Sequence, residues 1–223
     1  MATHEIITGI ITWAPGIVFA VTLHEWAHGF AATRFGDPTP ALFGRLTLNP
    51  LPHIDPIWSI AIPIGMLVTA MATMGHPIAF GGAKPVPIDP RNFPANSFRL
   101  ALLSVAIAGP IMNLLLALLC AAVFRLVFYL PMFMVDAVAS MLMAAIQMNV
   151  VLAVFNMIPL PPLDGGRVLT AILPYPLNKK VASLEKLGLP IILVLAFTGN
   201  LGTLLLSPMQ WVLTFFFWVA GVH

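Results

Sequence analysis

The sequence predicts an all-α polytopic membrane protein of about five to six membrane segments, with a short re-entrant or β-like extended element between the first two core helices. The first reason is composition: 60% of the 223 residues are hydrophobic and only 8% are charged. Ordinary soluble domains carry about 25% charged residues. The second reason is that several apolar runs are long enough to cross the roughly 30 Å hydrocarbon core of a bilayer as helices.

The length of the chain favours one integral membrane domain over residues 1–223, because a separate soluble domain of usual size needs roughly 100 residues. We expect its core at about 6–175 and C-terminal membrane segments at about 187–222. The formal net charge of +2 is small and the basic residues are scattered, so no nucleic-acid partner is predicted. Cys120 is the only cysteine and cannot form an internal disulfide.

The first apolar run predicts a helix over residues 6–34. Arg34 closes it, and the Gly36-Asp37-Pro38 sequence that follows is a strong stop signal. The residues before the run lack the positively charged region of a secretory signal, so we expect this helix to be a retained membrane span.

The next region, up to residue 97, is irregular. Residues 41–51 are short, mixed and bounded by prolines, which fits either a strand or a loop. An apolar run at 57–75 is interrupted by Pro63 and Gly65. The segment 81–87 is so rich in glycine and proline that we expect it to be extended rather than helical.

Three further stretches predict the rest of the membrane part. A long apolar helix covers residues 98–130, with an expected kink at Pro110. Residues 132–157 make the next span. Residues 167–186 carry several charged side chains and are expected at the membrane interface. The apolar tail 187–222 predicts one or two further spans.

Basic residues predict the orientation. They concentrate in or beside the region between the first helix and the helix that starts at residue 98, and again after residue 164, at Arg34, Arg45, Lys84, Arg91, Arg99, Lys179, Lys180 and Lys186. By the positive-inside rule both regions are cytoplasmic, which leaves the N-terminus outside. The chain between 36 and 97 must then cross the membrane an even number of times, most simply as a re-entrant excursion.

One motif in the first helix indicates chemistry. His24 and His28, in the sequence His24-Glu25-Trp26-Ala27-His28, are four residues apart and therefore share one helix face. Two imidazoles so placed can bind one metal ion, and Glu25 can take a proton from water at the metal. The alternative is a solvated helix surface, but the apolar flanks disfavour it, since ionisable groups in a membrane need a partner.

A catalytic zinc usually has three protein ligands, so a third is expected elsewhere. Asp164 is the acid that lies in a sharply turned, proline-rich segment after a long apolar span, and two glycines follow it. These glycines allow the backbone to approach another element closely. An alternative role for Asp164, compatible with the first, is to cap a helix that begins near residue 165.

These residues resemble paired family signatures. His24 to His28, together with Asn156-x-x-Pro159-x-Pro161-Pro162-Leu163-Asp164-Gly165, look like the two signatures of the site-2 protease family, the intramembrane zinc metalloproteases. Gly109-Pro110-x-x-Asn113 resembles a third motif of that family, on the helix between them.

The resemblance implies one Zn²⁺ per chain, held by His24, His28 and Asp164, with Glu25 as the general base. It implies that Asn113 and Asn156 are supporting or substrate-binding polar residues. Either asparagine could bind the developing oxyanion or hold the substrate, and the alternative is a plain hydrogen bond between helices.

The same resemblance implies a partner and a location. The family cleaves transmembrane helices of other proteins near the cytosolic side, so a single-span membrane-protein substrate and a lipid bilayer are expected, in a bacterial or archaeal cell membrane. The chain is similar to the compact branch without PDZ or CBS domains. The segment 81–87 is a candidate edge for strand addition by a substrate. A metal transporter and an inactive binding relative are the competing classes, and the oligomeric state is not predicted.

Overall fold

The structure, a computed structural model, describes residues 2–61, 65 and 82–222. Within these residues the regular structure is helical and no strand is present, which confirms the predicted all-α class. The α-helices are α1 (Ala2–Arg34), α2 (Thr39–Leu42), α3 (Phe98–Phe124), α4 (Met132–Asn156), α5 (Asp164–Ile172), α6 (Leu177–Ser183), α7 (Glu185–Phe197) and α8 (Asn200–Ala220). Short 3-10 turns occur at Leu51–His53, Pro90–Asn92 and Val127–Tyr129, and a π-helical turn at Pro56–Ala61.

Four helical stretches in the described part of the chain are long and apolar enough to cross a membrane. They are Ile7–Arg34, Phe98–Tyr129, Met132–Asn156 and Asn200–Ala220. Helix α7 is apolar but has 13 residues, about 20 Å, which is shorter than the hydrocarbon core. Of the tail 187–222, one helix is therefore long enough to span. Most of the apolar run 57–75 lies outside the described residues.

Small side chains bring the spanning helices together. Helices α1, α3 and α4 pack against one another, and α8 packs on α3 and α4. Their buried contacts are rich in alanine, at Ala20, Ala27, Ala101, Ala106, Ala117, Ala121, Ala144 and Ala153. Association in a bilayer depends on close van der Waals contact rather than on the hydrophobic effect, and small residues allow that contact. The large apolar side chains are mostly exposed, as a lipid-facing surface requires.

The two ends of the stretch that includes the apolar run meet in space. The Ser59 hydroxyl donates to the carbonyl of Gly82 at 2.7 Å, and the amide of Lys84 donates to the carbonyl of His53 at 2.9 Å. An even number of crossings requires this return of the chain. Of the two alternatives for residues 41–51, the structure has the loop rather than the strand, and its first two residues belong to the short helix α2. Residues 82–89 form neither helix nor strand.

Helix α5 begins at Asp164 itself. The capping position is Leu163, and no side chain caps the helix, so the alternative role of Asp164 as the N-cap is wrong. The two glycines after Asp164 act as predicted. A Cβ on Gly165 would collide with the carbonyls of Met157 and Ile158, and one on Gly166 with the backbone of Pro161. Because neither glycine has a Cβ, α5 can lie directly on the turn that follows α4.

Candidate metal centre and active site

Three predicted ligand atoms converge between α1 and α5. Nε2 of His24 lies 3.1 Å from Nε2 of His28, and Oδ2 of Asp164 lies 3.2 Å from the first and 3.3 Å from the second. All three side chains are buried. The 3.6-residue period of α1 puts both imidazoles on the face toward α3 and α5, and the first turn of α5 presents the carboxylate.

Hydrogen bonds fix which nitrogen of each imidazole faces this centre. Nδ1 of His28 lies 2.7 Å from the carbonyl of Val105, which can only accept, so Nδ1 carries the proton. Nδ1 of His24 lies 2.6 Å from Oδ1 of Asn113. The amide nitrogen of Asn113 donates to the carbonyl of Ala20 at 3.2 Å and to Oδ1 of Asn149 at 2.9 Å, so its oxygen is the acceptor. In neutral imidazoles both Nε2 atoms therefore present lone pairs.

The donor set fits zinc. Two lone pairs and a carboxylate oxygen face one another, and Oδ2 of Asp164 is buried without a hydrogen bond. Such an arrangement of acceptors is repulsive unless a cation lies between them. With ligand bonds of about 2.0–2.1 Å, the ligand atoms of a tetrahedral zinc site are about 3.3–3.4 Å apart. The observed separations match one face of that tetrahedron and leave its fourth corner for water or substrate.

Helix α3 approaches the histidine pair closely at Gly109, and the absence of a side chain at this residue leaves room for both rings. A Cβ at this position would lie 2.6 Å from Cε1 and 2.7 Å from Nε2 of His24, and it would also collide with Nε2 of His28. Only glycine therefore fits there. The next residue, Pro110, lies within α3, which continues through it.

Glu25 lies at the entrance to the centre. Its Oε2 accepts a hydrogen bond of 2.9 Å from the backbone N–H of Val86, in the segment 82–89. A cavity of about 120 Å³ joins this carboxylate to the ligands, and its lining is His24, Glu25, His28, Pro85, Val86, Asn156, Pro162, Leu163, Asp164 and Arg167. A carboxylate and three converging ligand atoms on one small cavity are the groups that metal-assisted hydrolysis needs.

The two predicted asparagines differ in position. Asn113 is fully buried, and both hydrogens of its amide are donated to α1 and α4, so the geometry favours a supporting contact with His24 over a contact with substrate. Asn156 lines the cavity, and its amide donates to the carbonyl of Leu152 at 3.0 Å.

Sequence reasoning missed two partners. Asn149, buried in α4, accepts a hydrogen bond from the amide of Asn113. The sequence feature that could have indicated this role is an uncharged polar residue inside an apolar span. Val86 holds Glu25 through its backbone, and no side-chain pattern could have indicated that contact.

The extended segment offers little to a strand-adding substrate. The N–H of Lys84 and that of Val86 are already donated to His53 and Glu25, and Pro85 and Pro87 have none. The guanidinium of Arg45 donates to the carbonyls of Lys84 and Pro85. Because few backbone groups in this stretch are free, the geometry does not favour a strand ladder here.

Fold and site together define a class: a zinc metalloprotease whose centre lies among membrane helices. The comparisons agree, because the model of peptidase family M50 matches residues 13–134 and 131–198. The chain belongs to this family, which includes the site-2 proteases.

Relatives in three bacteria extend the match over most of the chain. A proposed zinc metalloprotease of Bacillus subtilis strain 168, YwhC, is 38% identical over 86% of this chain and 83% of its own length. Proposed zinc metalloproteases named Rip2 are 31% identical in Mycolicibacterium smegmatis, over 90% of this chain and 72% of the relative, and 32% identical in Mycobacterium tuberculosis strain H37Rv, over 88% and 70%. No solved structure matches the chain significantly.

The family assignment answers the choice between classes. The chain is a zinc-dependent intramembrane protease and an integral membrane protein, and Zn²⁺ is its cofactor. The transporter and the inactive relative are therefore not supported. Among the described residues, the group of histidine and acidic side chains close enough to hold one ion consists of His24, His28 and Asp164.

Proposed function

We propose that His24, His28 and Asp164 hold one zinc ion, that Glu25 is the general base, and that the enzyme cleaves single-span membrane proteins within or near their transmembrane segments. The physiological process would be regulated intramembrane proteolysis. The observation that carries this proposal is the shared cavity, in which the carboxylate of Glu25 and the three ligand atoms face one small space.

Zinc, when bound, supplies a Lewis acid that makes a water molecule acidic near neutral pH and polarises a carbonyl. Glu25 takes the proton of the attacking water and later delivers it to the leaving nitrogen. The N–H of Val86 holds one carboxylate oxygen of Glu25 and leaves the other free for the proton. Asn113 and the carbonyl of Val105 keep the Nδ1 protons in place, so that both Nε2 atoms remain ligands.

Depth in the membrane supports an intramembrane substrate. His28 lies six residues before the end of α1, about 9 Å along the helix, and His24 about 15 Å. We propose that this end is the cytoplasmic one, that the N-terminus is outside, and that residues 1–223 act as one membrane domain. The basic residues on either side of the site favour this orientation. A substrate helix cut here would be opened near its cytosolic end.

The test is Glu25→Gln, which keeps the size and the hydrogen-bond acceptor of Glu25 but removes the base. The full chain is expressed with tagged single-span membrane proteins and cleavage is followed by immunoblot. We expect at least a hundredfold slower cleavage with zinc retained, since general bases contribute about 10²–10⁴-fold. Glu185→Gln is the matched control, because Glu185 is exposed at the start of α7.

The same experiment identifies partners. An uncut substrate that copurifies with the Glu25→Gln protein names the membrane protein that the enzyme acts on. Cleavage at the wild-type rate by Glu25→Gln, or equal loss in Glu185→Gln, would overturn the role of Glu25. Cleavage of soluble unfolded proteins but of no membrane-spanning substrate would contradict the proposed substrate class.

A further inference from the structure

Arg167 is the cationic side chain of the cavity lining, and the proposed mechanism leaves it without a role. It lies three residues after Asp164 on α5, so the two share a helix face. It is exposed, and among the described residues its guanidinium makes no hydrogen bond or ion pair. Asp164 does not neutralise it, because the carboxylate faces the two histidines instead.

A charged donor with free N–H groups is what the cavity otherwise lacks. The Nδ1 protons of both histidines are donated to α3, and the N–H of Val86 is donated to Glu25. Among the side chains of the lining, Asn156 keeps one amide hydrogen, since the other goes to the carbonyl of Leu152. Arg167 keeps all five of its N–H groups and a positive charge. Hydrogen bonds from a charged donor are roughly twice as strong as those between neutral groups.

Peptide hydrolysis places negative charge on the carbonyl oxygen, and preformed donors aimed at that oxygen lower the barrier. We propose that the guanidinium of Arg167 binds the carbonyl oxygen of the scissile peptide and stabilises the charge that develops on it. The inference rests on the proposed protease function and deepens it. It explains why an unpaired arginine stands one helical turn from a buried acid that would otherwise pair with it.

The bond changes follow from this placement. Water forms a C–O bond to the carbonyl carbon, its proton goes to Glu25, and the π electron pair moves to the carbonyl oxygen beside Arg167. When that pair returns, the C–N bond breaks and the proton passes from Glu25 to the leaving nitrogen. Arg167 donates hydrogen bonds throughout and transfers no proton, because a guanidinium stays protonated in proteins.

The experiment compares Arg167→Gln and Arg167→Lys in the full zinc-loaded chain, with Arg99→Gln as the matched loss of an exposed arginine outside the cavity lining. Steady-state cleavage of a peptide substrate is measured in detergent micelles. We expect Arg167→Gln to lower kcat about 10²–10³-fold, as the loss of an oxyanion donor does, with KM changed less than about threefold. Arg167→Lys should recover part of kcat, and zinc content should stay equal in all variants.

A second readout needs no turnover. A phosphinic pseudopeptide, whose anionic oxygen mimics the charged carbonyl, is titrated into the wild type and the two Arg167 variants. Its affinity should fall in Arg167→Gln by a factor similar to that of kcat. Binding of the uncharged peptide, measured in the Glu25→Gln background, should change little.

Three results would overturn the inference. One is an unchanged kcat in Arg167→Gln, as expected if Arg167 only reaches lipid headgroups; another is a loss confined to KM. The third is equal phosphinate affinity in the wild type and in Arg167→Gln. A wild type that cleaves no peptide would count against the proposed function itself, whereas cleavage by the wild type with equal phosphinate affinity in Arg167→Gln would overturn the role of Arg167 alone.

Discussion

Each histidine of the metal centre donates a hydrogen bond to α3 from the ring nitrogen that faces away from the centre. His24 donates to the side chain of Asn113, and His28 donates to the backbone of Val105. Outer-shell bonds of this kind set the tautomer and the orientation of the ring, and their loss costs about 10–100-fold in metal affinity. Zinc binding should therefore depend on how closely α3 approaches α1.

Gly109 tests that dependence. We expect Gly109→Ala to weaken zinc binding at least tenfold, because its methyl group would occupy the space of His24 and His28 and displace both rings. Zinc affinity is measured by competition with a chelator, and helix content by circular dichroism.

The control for this change is Gly202→Ala in α8, where an added Cβ meets nothing within 4 Å. It should bind zinc like the wild type. If Gly109→Ala also bound zinc normally, the described contact between α3 and the histidine pair would be wrong.

At the scale of single residues, the sequence predicts the functional role of those side chains whose spacing or sequence context is unusual. The i, i+4 histidines follow from helical period, and Asp164 follows from the glycines and prolines around it. Asn149 and the N–H of Val86 could not be predicted, because their roles depend on which helices and loops meet. Both contacts join residues far apart in the chain, Asn149 to Asn113 and Val86 to Glu25.

The segment 82–89 is the element that carries Val86 to Glu25, and polar anchors hold it. Arg45, which is buried, donates to the carbonyls of Lys84 and Pro85. Asp37, also buried, accepts from the N–H of Asp89 at 2.8 Å. Its other oxygen accepts from Thr39 and Asn92. These bonds tie the segment to the end of α1, where the metal ligands lie.

Asp37 makes the stability of this anchor depend on pH. Burial alone would raise its pKa, but hydrogen bonds from Thr39, Asn92 and Asp89 outweigh burial and lower the pKa below its ordinary value of 3.8. A carboxyl group whose folded pKa is lowered stabilises the protein fully above that ordinary value, and the contribution disappears as pH falls through the folded pKa.

We therefore expect Asp37→Asn to reduce the free energy of unfolding by about 1–3 kcal/mol at neutral pH, because partly buried hydrogen bonds lose their ionised acceptor. The difference from the wild type should narrow as pH falls below 3.8. Thermal unfolding in detergent between pH 3 and 7 measures it. Asp136→Asn, at an exposed site, is the control, and a difference that is independent of pH would contradict the role of Asp37 as an ionised anchor.

The sequence predicts the boundary of an element correctly where a stop signal is strong, and it fails where packing determines the boundary. Helix α1 ends at Arg34, as the following Gly36-Asp37-Pro38 predicts. Helix α5 begins at Asp164 rather than after it, because the carboxylate faces α1 instead of capping its own helix. The loop at 41–51 could not be distinguished from a strand, since its form depends on contacts with α1 and with residues 84–85.

In the whole molecule, three spanning helices, each antiparallel to the next along the chain, bring distant segments to one end. Helix α1 ends near the site, α3 starts there and α4 returns there, so Arg34, Phe98 and Asn156 belong to the same end of the bundle. Of the ten lysines and arginines, Arg125 alone lies in the turn between α3 and α4, at the opposite end. The charge asymmetry and the helix directions thus agree on one orientation.

Single cysteines can test this orientation, since Cys120 is the only native one and is replaced by alanine as background. Ala95→Cys precedes α3, Lys179→Cys lies in α6, and Tyr129→Cys lies in the turn after α3, and all three positions are exposed. We expect the first two to react with a membrane-impermeant maleimide only in inverted vesicles, and the third only in intact cells, because the positive-inside rule puts the site end in the cytoplasm. Labelling of Ala95→Cys and Lys179→Cys from opposite faces would contradict the two crossings by α3 and α4. Labelling of all three with the faces exchanged would reverse the orientation, which would place the protease site toward the exterior.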